Sequence, residues 1–176
     1  MADREFPALV RSFRFRVKLF QAPAAESGAD ASSPAGLEQS GRQLGDGGFQ
    51  ECTGLEVDVD VQEYLEGGRN DGVIRRVGRA KYQPLVLKRG MFFLESGTVD
   101  RSLWEWVQGV VSGQRPVARF NGWVQVLDVG DEPVATWAFE RGIPAKISGP
   151  QLNARTGEVA IEELQIAHEG LWLVAS

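Results

Sequence analysis

Apolar side chains recur at every second position over much of the chain, which predicts a fold made mainly of β-strands. Over residues 12–19 the apolar face consists of Phe13, Phe15, Val17 and Leu19. Because successive strand side chains point to opposite faces, this spacing predicts a strand with one buried and one charged face. Residues 55–62 repeat the alternation with acidic residues at most of the polar positions, so we predict a second strand there.

Four later segments are also predicted to be strands. They cover residues 84–88, 117–127, 134–147 and 158–168. We expect the third of them to bend around Gly142 and Pro144, two residue types that interrupt regular strand pairing. In the last segment the apolar residues change phase after Ile161, which predicts a β-bulge at Glu162 and Glu163.

One segment has the apolar period of an α-helix instead. Its stripe consists of Leu103, Trp104, Val107, Val110 and Val111. Asp100 or Ser102 is the expected N-terminal cap, and Ser102 would form a capping box with the residue three positions later. Gly113 and Pro116 are expected to end the helix, and Trp106 lies off the stripe and needs a separate packing partner.

Together these elements predict one mainly β domain, a small β-barrel or sandwich of about six strands with one flanking α-helix and a long extended arm. The domain covers residues 1–176. Residues 21–47 interrupt it, because Ala, Ser, Gly and Pro dominate there and Leu37 and Leu44 are the only large aliphatic residues. Such a segment buries too little surface to offset its ordering entropy, so we expect a flexible insertion loop within the domain.

Composition narrows the classes of function. The 24 acidic and 19 basic side chains give a formal net charge of −5, which argues against a dedicated nucleic-acid binder. No stretch approaches the ~18 consecutive apolar residues of a membrane span. The N-terminus lacks the apolar core of a signal peptide, so general secretion is not the expected route. Cys52 is the one cysteine, which excludes an internal disulfide and suits folding in a reducing cytoplasm.

Residues able to do catalytic or metal chemistry are few. His168 and Cys52 are the one histidine and the one cysteine, and with no cationic neighbour in sequence to activate Cys52 we expect structural roles for both. A zinc site of Cys and His ligands needs about four such residues. Acidic pairs such as Asp58 and Asp60 leave a hydrolase open, although the alternation turns both toward solvent. We therefore expect no enzyme activity, no catalytic residues, no metal and no cofactor.

Charge is segregated along the middle of the chain. Residues 51–66 contain six acids and no bases, whereas residues 67–89 contain seven bases and one acid. Two interpretations stay open: unlike surfaces that bind head to tail between copies, or an internal hairpin whose charges neutralise each other. A long glycine-hinged arm is costly to order alone, which favours support from a neighbouring chain. The predicted inter-subunit contact arm consists of Glu66, Gly67, Gly68, Arg69, Asn70, Asp71, Arg75, Arg76 and Arg79.

Several motifs, taken in order, resemble one known family. They are GFQECTGL at residues 48–55, EGGRN at 66–70, LVLKRG at 85–90, SGPQLN at 148–153, EVAIE at 158–162 and AHEGL at 167–171. Together they are similar to the tail tube proteins of contractile phages and of extracellular contractile injection systems. The resemblance covers about residues 12–172 apart from the 21–47 loop, which is longer than expected of the family.

This resemblance implies hexameric rings that stack into a hollow inner tube inside a contractile sheath, with the arm reaching an adjacent subunit or ring. The implied partners are copies of the same chain and sheath, baseplate or spike and cap proteins, with cargo in the lumen and no membrane insertion. It also implies assembly in the bacterial cytoplasm and a phage tail-like particle that can be released from the cell. Two alternatives stay open: a specialised tube-initiator ring at the baseplate, and a small β-barrel that binds an apolar ligand among its five tryptophans.

Overall fold

The computed structural model describes residues 9–22, 42–44, 48–64, 72–95, 97–155 and 157–174. Within these residues lie ten strands and one helix. The strands are β1 (Phe15–Gln21), β2 (Gln43–Leu44), β3 (Glu51–Thr53), β4 (Val57–Tyr64), β5 (Ile74–Tyr82), β6 (Leu85–Gly90), β7 (Phe120–Leu127), β8 (Pro133–Ser148), β9 (Ile161–Ala167) and β10 (Gly170–Val174). The helix, α1, spans Ser102–Val111.

Eight of the strands form one antiparallel sheet. Its order is β2–β1–β7–β8–β9–β6–β3, and β10 pairs with β8 beside this path. Within the described chain β2 and β3 are the two ends of the path, so the arrangement is an open, sandwich-like sheet and not a closed barrel. The prediction of a mainly β fold with a flanking helix and an extended arm is confirmed, whereas the predicted number of about six strands was too low, because the described residues form ten.

The long strand β8 serves both halves of the sheet. Its first half pairs with β7, and its second half, from Ile143 onward, pairs with β9. The exchange of partners falls next to Gly142, where an added Cβ would lie 2.7 Å from Ile166 Cγ2. The register then shifts between Pro144 and Lys146. These features confirm the irregularity that the sequence predicts around Gly142 and Pro144.

Strand β9 lacks the predicted bulge. It pairs with β6 in unbroken register, with Glu162 directly opposite Arg89. Glu162 shares a face with Leu164 and Ile166, and its side chain is therefore in the core, where it is 1% exposed. The prediction of a bulge at Glu162 and Glu163 was wrong. It assumed that the apolar residues before Glu162, such as Ile161, face the core, whereas they lie on the opposite face of the strand.

One hydrophobic core joins the sheet to α1. Its most deeply buried members are Val17, Leu19, Leu44, Leu85, Leu87, Leu103, Phe139, Leu164 and Ile166. Phe13, which the sequence places on the buried face, is 70% exposed because β1 begins only at Phe15. On α1 the stripe was partly wrong: Val111 is 81% exposed, whereas Trp106 is buried and its Nε1 donates to the Ala118 carbonyl at 2.9 Å.

Helix α1 is fixed at its start by Asp100. The Asp100 carboxylate accepts hydrogen bonds from the backbone N and the hydroxyl of Ser102, at 2.9 and 3.1 Å. The cap position itself is occupied by Arg101. No capping box involving Ser102 forms, because Glu105 pairs with Arg42 and Arg101 instead. Of the two predicted caps, Asp100 is therefore the one that satisfies the free N–H group of the first turn.

The predicted 21–47 loop lies largely outside the described residues. Its described end contributes β2, in which Leu44 pairs with Leu19 and Gln43 with Phe20. Leu44 is 1% exposed and belongs to the core. Residues 42–44 of this segment are therefore part of the folded domain.

Candidate assembly surface

Strands β4 and β5 form a hairpin that stands apart from the main sheet. Among the described strands each pairs only with the other, from Val57 opposite Tyr82 to Tyr64 opposite Ile74. We call this hairpin the arm. Every residue of β4 is exposed, although a strand with such clean alternation normally buries its apolar side.

The arm carries an apolar face that the described chain leaves uncovered. Val57 and Val59 are each 47% exposed and Val61 is 61% exposed. Val77, which lies opposite Val61 on β5, is 84% exposed. A two-stranded hairpin is marginally stable by itself in water. A strip of this kind is typical of a surface that binds another protein.

Ion pairs link the two strands of the arm. Lys81 Nζ lies 3.0 Å from Asp60 Oδ1, and Arg75 Nε lies 3.4 Å from Glu63 Oε1. Both pairs are solvent-exposed, so each contributes at most about 1 kcal/mol. At these positions acidic and basic side chains neutralise each other within one hairpin. This is the internal hairpin that the sequence leaves open as an alternative to contacts between copies.

The predicted contact residues are divided by the structure. Residues 66–71, which include six of them, lie outside the described residues. Arg75, Arg76 and Arg79 all lie on β5 with exposed side chains. Arg76 stacks over the ring of Tyr64, with 5.0 Å between the guanidinium carbon and the ring centroid. Arg79 forms no ion pair with any residue that the structure describes.

The base of the arm is held by Gly54 and His168. Gly54 has φ +88°, and an added Cβ would lie 2.1 Å from the Pro84 carbonyl oxygen, so only glycine fits. His168 Nε2 lies 3.1 Å from the Gln83 carbonyl oxygen, and its ring is 5.5 Å from that of Tyr82. Burial lowers the pKa of His168 below its ordinary value and outweighs its backbone hydrogen bonds. A neutral imidazole packed at the base of the arm agrees with the structural role that the sequence predicts for His168.

A buried ion cluster lies at the other end of β6. Arg89 Nε donates to Glu162 Oε1 at 2.6 Å, and both side chains are 1% exposed. Arg89 Nη2 is 3.0 Å from Asp100 Oδ2, and Trp104 Nε1 donates to Glu162 Oε2 at 2.9 Å. Partial burial works to raise the pKa of Asp100, but hydrogen bonds from Ser102 and the Arg89 guanidinium hold it below its ordinary value. The cluster connects α1 to β6 and β9. The sequence pattern that could have indicated it is the position of Glu162, which is on the same face of the strand as the core residues Leu164 and Ile166.

The residues considered for catalysis have structural partners. Burial raises the pKa of Cys52 to about 12, so its thiol stays protonated and unreactive near neutral pH. Asp58 accepts a hydrogen bond from Gln83 Nε2 at 2.6 Å, and Asp60 accepts one from Lys81.

Across the described ranges, no three His, Cys, Asp or Glu side chains are grouped to hold a metal ion. The described helix is too short to cross a membrane.

The tryptophans are spread over three places and do not line one cavity. Trp104 belongs to the buried ion cluster, whereas Trp106 and Trp137 pack in or against the main core. Trp123 and Trp172 form a smaller cluster of their own. The described pocket beside α1 contains only Trp106 among them. This distribution gives no support to a barrel that binds an apolar ligand among its tryptophans.

The fold is therefore an open β-sandwich with a projecting hairpin whose apolar face is exposed in the single copy. The chain belongs to the T4-like virus tail tube protein gp19 family, whose model matches residues 11–172. It is therefore a tail tube protein, as its motifs indicate.

Solved structures of low sequence identity share this fold. A chain of the anti-feeding prophage baseplate is 20% identical, with a TM-score of 0.71 over 97% of both chains. A chain of the PVC extracellular contractile injection system, from its sheath–tube complex in the extended state, is 17% identical, with a TM-score of 0.71 over 98% of this chain and 95% of that one. A chain of the anti-feeding prophage tube-terminating cap is 16% identical, with a TM-score of 0.74 over 99% and 97%. No curated protein matches the chain.

Proposed function

We propose that the chain is the inner-tube subunit of a contractile injection system or phage-like tail, in which hexameric rings stack into a hollow tube for cargo delivery. Membership of the tail tube family supports this proposal. The observation that carries it is the arm, whose apolar face is uncovered in the single copy. We further propose that the predicted contact residues of the arm, including Arg75, Arg76 and Arg79, take part in contacts between subunits.

Covering the arm with a second chain would stabilise the assembly. Its four valines are between 47% and 84% exposed. Complete burial of one valine stabilises a structure by about 1.5–3 kcal/mol, so covering all four would contribute on the order of 4–7 kcal/mol per arm. Part of this gain is offset by the entropy of immobilising the partners. The remainder is repeated in every subunit, which favours a cooperative assembly.

Copies of the same chain are the first partners in this proposal, and sheath, baseplate or spike and cap proteins are the others. Similar folds occur in a sheath–tube complex, a baseplate and a cap, which supports these partners. The baseplate and cap chains also favour the alternative of a specialised ring at one end of the tube. Assembly would take place in the bacterial cytoplasm, before the particle is released.

The proposed role is structural and not catalytic. The family is that of a tail tube protein, and partial burial raises the pKa of the Cys52 thiol to about 12, which leaves it without the thiolate that a nucleophile needs.

Electron microscopy and sedimentation of the purified chain test the proposal. Over a rising concentration series we expect six-fold rings and then hollow tubes of uniform width. A chain that remains monomeric throughout the series, at low and high salt, would contradict the assembly role.

A further inference from the structure

Strand β6 separates two exposed apolar surfaces. The arm precedes β6, and residues 91–95, which we call the aromatic loop, follow it directly. In this loop Phe93 is 76% exposed, and Phe92 and Leu94 are 40% and 45% exposed. The chain therefore presents apolar side chains to solvent at both ends of the same strand.

Hydrogen bonds hold the aromatic loop in place although its side chains are exposed. Leu94 N donates to the Thr98 carbonyl at 2.8 Å, and Asp100 N donates to the Phe92 carbonyl at 3.0 Å. The guanidinium of Arg89, from the buried ion cluster, lies 5.8 Å from the centroid of the Phe92 ring. The loop thus displays its aromatic residues on an ordered support, and a preorganised surface loses little entropy on binding.

Within one copy the two surfaces do not cover each other, since Val77 is 84% and Phe93 is 76% exposed. Strand β6 has six residues, and at ~3.3 Å per residue it puts about 20 Å between the arm and the aromatic loop. A contact between copies would cover both surfaces at once. A second copy placed head to tail brings its arm to the loop of the first.

Charge favours the same pairing. Arg79 on the arm and Glu95 in the aromatic loop are both exposed, and neither forms an ion pair within the part of the chain that the structure describes. Opposite charges around an apolar contact fix its register and exclude wrong partners. We infer that the arm of one copy docks on the aromatic loop of the next copy, with Val77 against Phe93 and Arg79 beside Glu95. This inference rests on the proposed self-assembly and names the surface that receives the arm.

A contact of this kind joins two different patches. Each copy uses its arm toward one neighbour and its aromatic loop toward another, so the contact is heterologous. Heterologous contacts close into rings or repeat without limit along an axis. Such a contact gives the assembly a direction, because an arm never meets an arm.

Cysteine cross-linking of mixed copies tests the inference. In a background of Cys52→Ala, one preparation carries Val77→Cys and the other carries Phe93→Cys. The two are mixed, assembled and oxidised, and then separated on a non-reducing gel. We expect a covalent dimer from the mixture and none from either preparation alone. As a matched control, Val129→Cys, which replaces another exposed valine at 90% exposure, should give no dimer with Phe93→Cys.

The outcomes separate this inference from the proposed function. Tubes that assemble normally without a cross-link in the mixture would overturn the inference and leave the proposed function standing. A dimer from Val77→Cys alone, as strong as that from the mixture, would also overturn it, because the arms would then meet each other. If Cys52→Ala, like the unmodified chain, forms no assembly at any concentration, the proposed function itself fails.

A charge exchange provides a second readout that needs no cysteine. Arg79→Glu should raise the concentration needed for assembly about tenfold, because it places two acids side by side at the rim of the contact. Adding Glu95→Arg to the same chain should restore assembly to within about twofold of the original. If the double variant assembles no better than Arg79→Glu alone, while both variants fold, the inference is wrong.

Discussion

The buried ion cluster gives a direct test of what holds α1 to the sheet. Arg89 and Glu162 are both 1% exposed and lie 2.6 Å apart, and Asp100 and Trp104 complete their contacts. Replacing Arg89 with Met keeps much of its apolar bulk and removes the charge. Among the described residues, the carboxylate of Glu162 is then left in the core with only the Trp104 N–H group as a partner.

The structure sets the size of the expected effect. Removing one partner of a buried ion pair costs about 3–5 kcal/mol, because the other charge remains desolvated and unpaired. Removing both, with Arg89→Met and Glu162→Leu together, removes both charges of the fully buried pair, and the Asp100 carboxylate, which is 23% exposed, keeps its hydrogen bonds from Ser102. The double change leaves the N–H group of Trp104 without its acceptor, which costs about 1–3 kcal/mol. The double variant should therefore be more stable than Arg89→Met alone.

Thermal and urea unfolding of the monomeric chain measure these differences. For a domain of this size 1 kcal/mol corresponds to about 2–4 °C in Tm, so Arg89→Met should lower Tm by roughly 10 °C. Lys88→Met is the matched control. Lys88 neighbours Arg89 on the same strand and pairs with Glu51 at 3.0 Å, but these two side chains are 34% and 44% exposed. Its loss should change stability by no more than about 1 kcal/mol.

Two results would refute this reasoning. One is an Arg89→Met variant no less stable than Lys88→Met. The other is a double variant that loses the sum of the two single effects, because additive losses mean that the charges do not stabilise each other.

The remaining predictions concern the arm base and the thiol. Burial lowers the pKa of His168 below 6.5, so the unfolded chain binds more protons, and the free energy of unfolding should fall as the pH drops from about 6.5. The difference in the free energy of unfolding between pH 7.5 and pH 5 should be smaller for His168→Gln than for the unmodified chain. Gly54→Ala should lower the free energy of unfolding by at least about 2 kcal/mol, because its Cβ would lie 2.1 Å from the Pro84 carbonyl oxygen. Gly48→Ala is the control: an added Cβ there has nothing within 4 Å, so the loss in the same melts should be less than about 1 kcal/mol. Cys52, with a pKa of about 12, should react slowly with iodoacetamide at pH 8 and rapidly once urea unfolds the chain; fast labelling of the folded chain would contradict its burial.

Periodicity predicted the helix and most of the strands that pack on the core, but it missed β2 and β10, which also bury residues there. Alternation at residues 12–19 and the apolar run at 84–88 became β1 and β6, and the stripe ending before Gly113 became α1. Each such pattern arises from the local geometry of the backbone, which sets where successive side chains point. The motifs, taken in order, also indicated the tail tube family that the chain belongs to.

Only the tertiary structure decided what covers each apolar face. Strand β4 alternates as cleanly as β1, yet its apolar face is bare because the arm leaves the sheet. Glu162 is charged, yet it is buried because Arg89 faces it from the neighbouring strand. Alternation shows that the two sides of a strand differ chemically, but it does not show which element lies against either side. Which element covers a given face depends on contacts between residues far apart in the chain, such as Arg89 and Glu162. For the arm, we propose that a second copy of the chain covers its apolar face.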